Sequence, residues 1–192
     1  MDRNSITKLT LAGMFAALAF ICFSYLRIEI PMGGGMTGKI YIGHTFIILA
    51  AILLGAKYGA LSGAIGLTLA DILAGYTTSA PPTFLAKFIL GFSAAFIAYK
   101  IYHVNKETDP STINKIILYS SVGACLVNVI TEPLIRYAFK YYILGIPYQM
   151  AYLSAINCAI SMAVSAIPST LLAVFLYKVL EKSVLQNYNF SK

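Results

Sequence analysis

Apolar residues run along this chain in long blocks, and the polar residues gather mainly in the gaps between them. A helix that crosses a membrane needs about 20 mostly apolar residues. By that measure the pattern predicts six spans, at 7–26, 40–56, 58–76, 83–102, 114–138 and 151–180. The second is short and ends at Gly55-Ala56-Lys57-Tyr58-Gly59, a tight turn that makes spans two and three a helical hairpin. The sixth is long enough to tilt or protrude. Spans one to three and four to six share no motif, which argues against an inverted-repeat transporter. The expectation is an all-α integral membrane protein, a single domain over residues 1–192 with six transmembrane helices.

Composition strengthens the membrane reading. The chain has 192 residues, of which 59% are hydrophobic and 11% charged. A soluble domain carries roughly 25% charged residues, so this one cannot cover a surface with polar groups. The net charge of +7 is then a matter of loops facing the cytoplasm rather than a nucleic-acid footprint. With the N-terminus inside, Arg3, Lys8, Lys57, Lys100, Lys106, Lys115, Lys178, Lys182 and Lys192 fall on one side, and Arg27, Lys39, Arg136 and Lys140 on the other. Nine against four predicts that both termini are cytoplasmic. The loop at 103–114 is then internal, and the loops at 33–35 and 142–150 are external. Cys22, Cys125 and Cys158 lie in apolar runs, where an odd number of thiols speaks for buried packing and not for a disulfide framework.

Against this background the polar residues inside spans stand out, because an ionisable group at the membrane centre costs at least ~2.5–3.5 kcal/mol. Asp71 and Lys87 sit on adjacent spans, either side of Pro81-Pro82. At ~1.5 Å per residue, each lies roughly 7 Å below the outer end of its span. Glu132, Asn157 and, one turn deeper, Asn128 fall at a similar depth on spans five and six. Five polar groups on four spans at one level predict a polar pocket on the external side. The bland alternatives are a bracing Asp71–Lys87 pair and a Glu132–Arg136 pair at i, i+4. Asn128 and Glu132 also share a face, beside the kink expected from Pro133. Tyr41 and His44 open span two at the outer surface, beneath a glycine-rich segment at 32–39, where they are placed to stack on or hydrogen-bond a heterocycle.

Several apparent motifs fall away. Residues 33–39 satisfy G-x-x-x-x-G-K, but Ile40 stands where a phosphate loop needs Ser or Thr. Its glycines suit a mobile lid over a bound solute. Ala60-Leu61-Ser62-Gly63 lacks the first glycine of an intramembrane serine protease, and no nucleophile–base pair can be assembled, so no enzyme is expected. No His or Cys pair has metal-ligand spacing, and neither metal nor cofactor is expected. Small residues do form stripes: Ala12, Ala16 and Ala19 on span one, and Gly59, Gly63, Gly66 and Ala70 on span three. Such faces let helix backbones approach closely in lipid.

Taken together, Ala12-x-x-x-Ala16, LLGAKYGALSGAIGLTLADILAGY at 53–76 and APPTFLAKFILG at 80–91 make the chain resemble the substrate-binding S component of an energy-coupling factor (ECF) vitamin transporter, over nearly its whole length. It is most similar to the subgroup for riboflavin, hydroxymethylpyrimidine or pyridoxine-like solutes, although Gly43-His44 stands where that subgroup often has Gly-Asp. The resemblance implies a non-enzymatic subunit of an ABC-type importer that works with a membrane coupling subunit and two cytoplasmic ATPases. It implies that Ala12 and Ala16 meet the coupling subunit and that the solute binds externally, under the loop between spans one and two. The expected ligand is a small water-soluble vitamin or precursor, hydroxymethylpyrimidine or a B6 vitamer. Tyr41, His44, Asp71, Lys87, Asn128, Glu132 and Asn157 are the expected contacts. The rival readings are a riboflavin-specific subunit and a membrane scaffold with no solute.

Overall fold

A computed structural model describes residues 3–32, 36–104, 107 and 109–180. In chain order the elements are helix α1 (Arg3–Tyr25), strands β1 (Ile28–Met32) and β2 (Met36–Ile40), and helices α2 (His44–Leu54), α3 (Ala56–Leu73), α4 (Ala80–Phe96), α5 (Pro110–Ala138) and α6 (Tyr148–Leu180). Short π-helical turns extend α4 to Ile101 and α5 to Ile143. Four segments, 5–25, 77–101, 110–143 and 148–180, are long and apolar enough to cross a membrane. α3 is not among them, and α2 has only 11 residues. At ~1.5 Å per residue α2 covers about 16 Å, roughly half of a ~30 Å hydrocarbon core.

The shortness of α2 has a local cause. The expected second span began at residue 40, but Ile40 is the last residue of β2, which pairs antiparallel with β1 in the register Ile28–Ile40, Ile30–Gly38 and Met32–Met36. The segment read from sequence as an open loop is thus a β-hairpin, except for glycines 33–35, which lie outside the described residues. At its other end α2 stops at Gly55, whose φ of +87° is open to glycine at little cost and strained for other residues. The Gly55 N–H closes the helix on the Ala51 carbonyl at 3.1 Å. The expected turn between the second and third helices is therefore present.

α2 is the centre of the bundle. Ile47, Ile48, Leu49, Ala50 and Ala51 are wholly buried. A short helix apolar on every side has no face to give to water or lipid. α3 packs on α1, α2 and α4: its Gly59 and Gly63 let α2 approach at Ala51 and Ile47, its Gly66 lets α1 approach, and Gly91 of α4 lies against Ala60. A Cβ at Gly66 would collide with the backbone of Ala16 on α1. The small stripe on α1 accordingly faces inward: Ala12 and Ala19 are buried and Ala16 is half-buried. The longer helices keep apolar side chains such as Leu126, Ile130, Leu134 and Phe175 on the outside, as a lipid-facing surface requires.

Candidate functional site

The six helices alternate in direction, so the C-terminal ends of α1, α3 and α5 meet the N-terminal ends of α2, α4 and α6 at one end of the bundle. At that end a continuous polar network links five elements. His44 opens α2 and is 2% exposed; Lys87, two turns into α4, and Glu132, in the second half of α5, are fully buried. The Lys87 ammonium donates to a Glu132 carboxylate oxygen, to His44 Nε2 at 2.8 Å and to Met162 Sδ at 3.7 Å. An ammonium has no acceptor, so Nε2 must accept and the imidazole is neutral, its proton on Nδ1.

Glu132 is saturated. Besides Lys87 it accepts from Arg136 Nε at 3.1 Å and Nη2 at 2.9 Å, and from Asn128 Nδ2 at 3.2 Å. Helical periodicity puts Asn128, Glu132 and Arg136 on one face at intervals of four, and α5 runs on past Pro133. Arg136 also donates to Thr83 Oγ1 at 3.0 Å, and that hydroxyl donates to Asp71 Oδ2 at 2.5 Å. The other Asp71 oxygen lies 3.9 Å from Lys39 of β2.

Asp71 and Lys87 are thus not each other's partners. Depth along two neighbouring helices was readable from the sequence, but direction around their axes was not. Asp71 faces Thr83 and the hairpin, whereas Lys87 faces α2 and α5.

Above this network lies a cavity of about 180 Å³. The hairpin covers it with Met36, Thr37, Gly38 and Lys39, and Phe23 and Tyr41 form one wall. Tyr41 is held edge-on to Phe23, with ring centres 5.0 Å apart, and lies 4.7 Å from the His44 ring. Asp71 and Tyr76 come from the end of α3, and Arg136 and Lys140 from the end of α5. The facing wall is α6, through Ser154, Asn157, Cys158, Ser161 and Met162.

The hairpin is fastened where it crosses. A Cβ on Gly38 would overlap the side chains of Met32 and Ser161, so β2 lies tight against α6. The Lys39 ammonium sits over the Tyr76 ring, 3.0 Å from its centre. Lys39 lies outside the helices, and burial lowers its pKa to about 8 despite the opposing pull of Asp71. Arg27 and Glu29 pair at 2.9 Å on the hairpin's outer edge.

Of the residues singled out from sequence, Tyr41, Asp71 and Asn157 line the cavity, while His44, Lys87, Asn128 and Glu132 belong to the network below it. Ala12 and Ala16 lie on α1, away from this site. Sequence reasoning passed over Lys39, Arg136, Lys140 and Tyr76. Lys39 and Lys140 had been used only as topology-setting charges, and Arg136 beyond that only as the i, i+4 partner of Glu132, a pairing that the structure shows. The spacing 132, 136, 140 was the available signal, a column of three ionisable groups on one face of one helix.

Comparison with known proteins places this geometry. No curated protein matches the sequence. Among solved structures, an S component of a bacterial ECF transporter aligns with a TM-score of 0.59 at 19% identity, over 93% of this chain and 97% of its own. An S component for biotin from an ECF-type ABC transporter aligns at 0.64 and 20%, over 93% and 95%. ThiT from Listeria monocytogenes aligns at 0.63 and 18%, over 95% and 97%. At such identities these likenesses establish the fold. The model of the family described as ECF-type riboflavin transporter, S component, matches residues 3–182. A match over almost the whole chain, together with a shared fold, means that this protein belongs to the ECF-type riboflavin transporter S component family, whose members are transport subunits rather than enzymes.

Proposed function

We propose that this protein binds a small water-soluble vitamin or precursor at the external side of the plasma membrane and delivers it inward as the S component of an ECF-type importer. Six helices enter the membrane with both termini cytoplasmic, the orientation that the distribution of lysine and arginine favours. Its partners are a membrane coupling subunit and two cytoplasmic ATPases; Ala12 and Ala16, expected from the resemblance to meet the coupling subunit, instead pack inward in the bundle.

The observation that carries the solute reading is the cavity itself: an aromatic wall at Phe23 and Tyr41 faces hydrogen-bonding groups on α6, under a hairpin that closes it from above. Binding sites combine apolar walls with a few placed polar groups in this way. A scaffold needs no such space. The seven residues Tyr41, His44, Asp71, Lys87, Asn128, Glu132 and Asn157 act at two levels. Tyr41, Asp71 and Asn157 touch the solute, and the other four hold the floor beneath it.

The family description favours riboflavin, a fused three-ring solute. The volume of about 180 Å³ favours a single heteroaromatic ring, since drug-sized ligands occupy roughly 300–1,000 Å³. Hydroxymethylpyrimidine and the B6 vitamers are of that size. A thermal-shift panel of B vitamins and their precursors on the purified chain in detergent tests the reading. A solute present at ~100 times its Kd stabilises by about 2.7 kcal/mol, so the true ligand raises the melting temperature by several degrees. No shift across the panel, together with no small molecule found by mass spectrometry in the protein as purified, would favour the scaffold. A shift with riboflavin alone would overturn the single-ring choice.

A further inference from the structure

The charges at the site do not balance. Its described anions are two, Asp71 and Glu132, and its described cations are four, Lys39, Lys87, Arg136 and Lys140. The Arg27–Glu29 pair on the hairpin edge is neutral in sum, and His44 is neutral by its hydrogen bond. Lys87 and Arg136 share the single carboxylate of Glu132, and Lys39 has Asp71 at the long distance of 3.9 Å. Lys140 donates to a neutral hydroxyl, Ser154 Oγ.

Helix termini do not make up the difference. Each C-terminus offers roughly half a negative charge and each N-terminus half a positive one, and three of each meet here. Two positive charges are left over. The floor below is closed to solvent, so the surplus faces the cavity, where three of the four cations, Lys39, Arg136 and Lys140, point at one small space with a single carboxylate among them. Charges so placed are held only where something compensates them.

We infer that the solute supplies the missing anion: it is a single-ring compound bearing a carboxylate or phosphate, its acidic group held by Lys39, Arg136 and Lys140 and its ring against Phe23 and Tyr41. This rests on the solute-binding reading above and narrows it to acidic members of the class. Arg136 is pre-aligned by Glu132 and Thr83, which leaves it little conformational freedom to lose on binding. Lys140 has the most freedom to turn from Ser154 to the ligand.

The test uses charge-matched pairs of probes: nicotinamide with nicotinate for a carboxylate, and pyridoxine with pyridoxine 5′-phosphate for a phosphate. Affinities are measured by calorimetry on the full chain in lipid nanodiscs. The acidic member of at least one pair is expected to bind at least about tenfold more tightly than its neutral twin, and the pair that shows it tells carboxylate from phosphate. Lys140→Gln retains a donor for Ser154 and is expected to abolish most of that preference, with the ligand-free melting temperature showing that the fold is intact. Lys140→Arg restores the preference. Neutral members that bind as tightly as the acidic ones would overturn the inference and leave the solute-binding reading standing. Binding of no member of either pair would overturn the inference, and the vitamin panel then decides the solute-binding reading separately.

Discussion

The floor and the walls of the cavity are made from the same kinds of side chain and behave oppositely. In the floor, Lys87 and Glu132 are fully buried and meet each other, with His44, Asn128 and Arg136 filling their remaining valences. In the walls, Lys39 and Lys140 have one distant carboxylate and one hydroxyl between them. The two floor charges, Lys87 and Glu132, have their partners without a ligand, and the wall cations do not. The comparison shows that an intramembrane charge marks recognition only when its surroundings leave it incomplete; a charge with all its partners is architecture. Buried ion pairs contribute little net stability, because desolvation offsets their attraction, but removing one partner is severe.

The sharpest way to break the contrast is to unbalance the floor. Glu132→Ala leaves Lys87 and Arg136 facing each other without a carboxylate and should destabilise the fold by about 3–5 kcal/mol, seen as lost thermal stability in detergent before any ligand is added. A melting temperature within a degree or two of the wild type would mean that the floor is not the brace described here. Asp71→Asn alters the wall instead. Asparagine still accepts from Thr83 while the carboxylate facing Lys39 is gone, so stability should change by only about 1 kcal/mol. Affinity for an acidic probe should rise several-fold, because the positive surplus grows from two to three; a fall would mean that the contact of Asp71 with the solute outweighs its repulsion of the acidic group.

The smallest effect comes from pH. Lys39 faces Asp71, Arg27, Arg136 and Glu29, and its pKa of about 8 is below that of a free lysine. Raising the pH from 7 to 9 should weaken an acidic probe's binding by about threefold and leave its neutral twin unaffected, read by calorimetry at each pH. Fold stability should move the other way. Above pH 8 the folded protein has given up a proton that the unfolded chain keeps until ~10.4, so unfolding becomes harder with rising pH over that window.

Much of this was legible in the sequence, and what was missed has a common cause. The helical turn at Gly55 announced itself through glycine, and the gathering of Asp71, Lys87, Asn128 and Glu132 at one end of the bundle followed from rise per residue, although there they stand at two levels. Azimuth did not follow: Lys87 reaches Glu132, 45 positions away, and not Asp71, 16 positions away, because α2 and α5 lie on its side of the helix. The hairpin was missed because glycines 33–35 and Pro31 read as loop, although Ile28, Ile30 and Met32 alternate with other residues as a strand does. Without the hairpin, Lys39 had no site to belong to, and Lys140 looked like a surface charge.

The eleven residues of α2 have a further consequence. Every other helix in the bundle is at least half as long again, so the column of volume that α2 occupies is empty beyond His44 for the other half of the membrane's depth. The hairpin fills the top of that column and the cavity is what remains between. Solute size in this protein is therefore set by subtraction, from where one helix begins and how far one hairpin dips. A single added turn at the start of α2 would shift Tyr41 and the hairpin and so reset that space, while the walls on α3, α5 and α6 stay as they are.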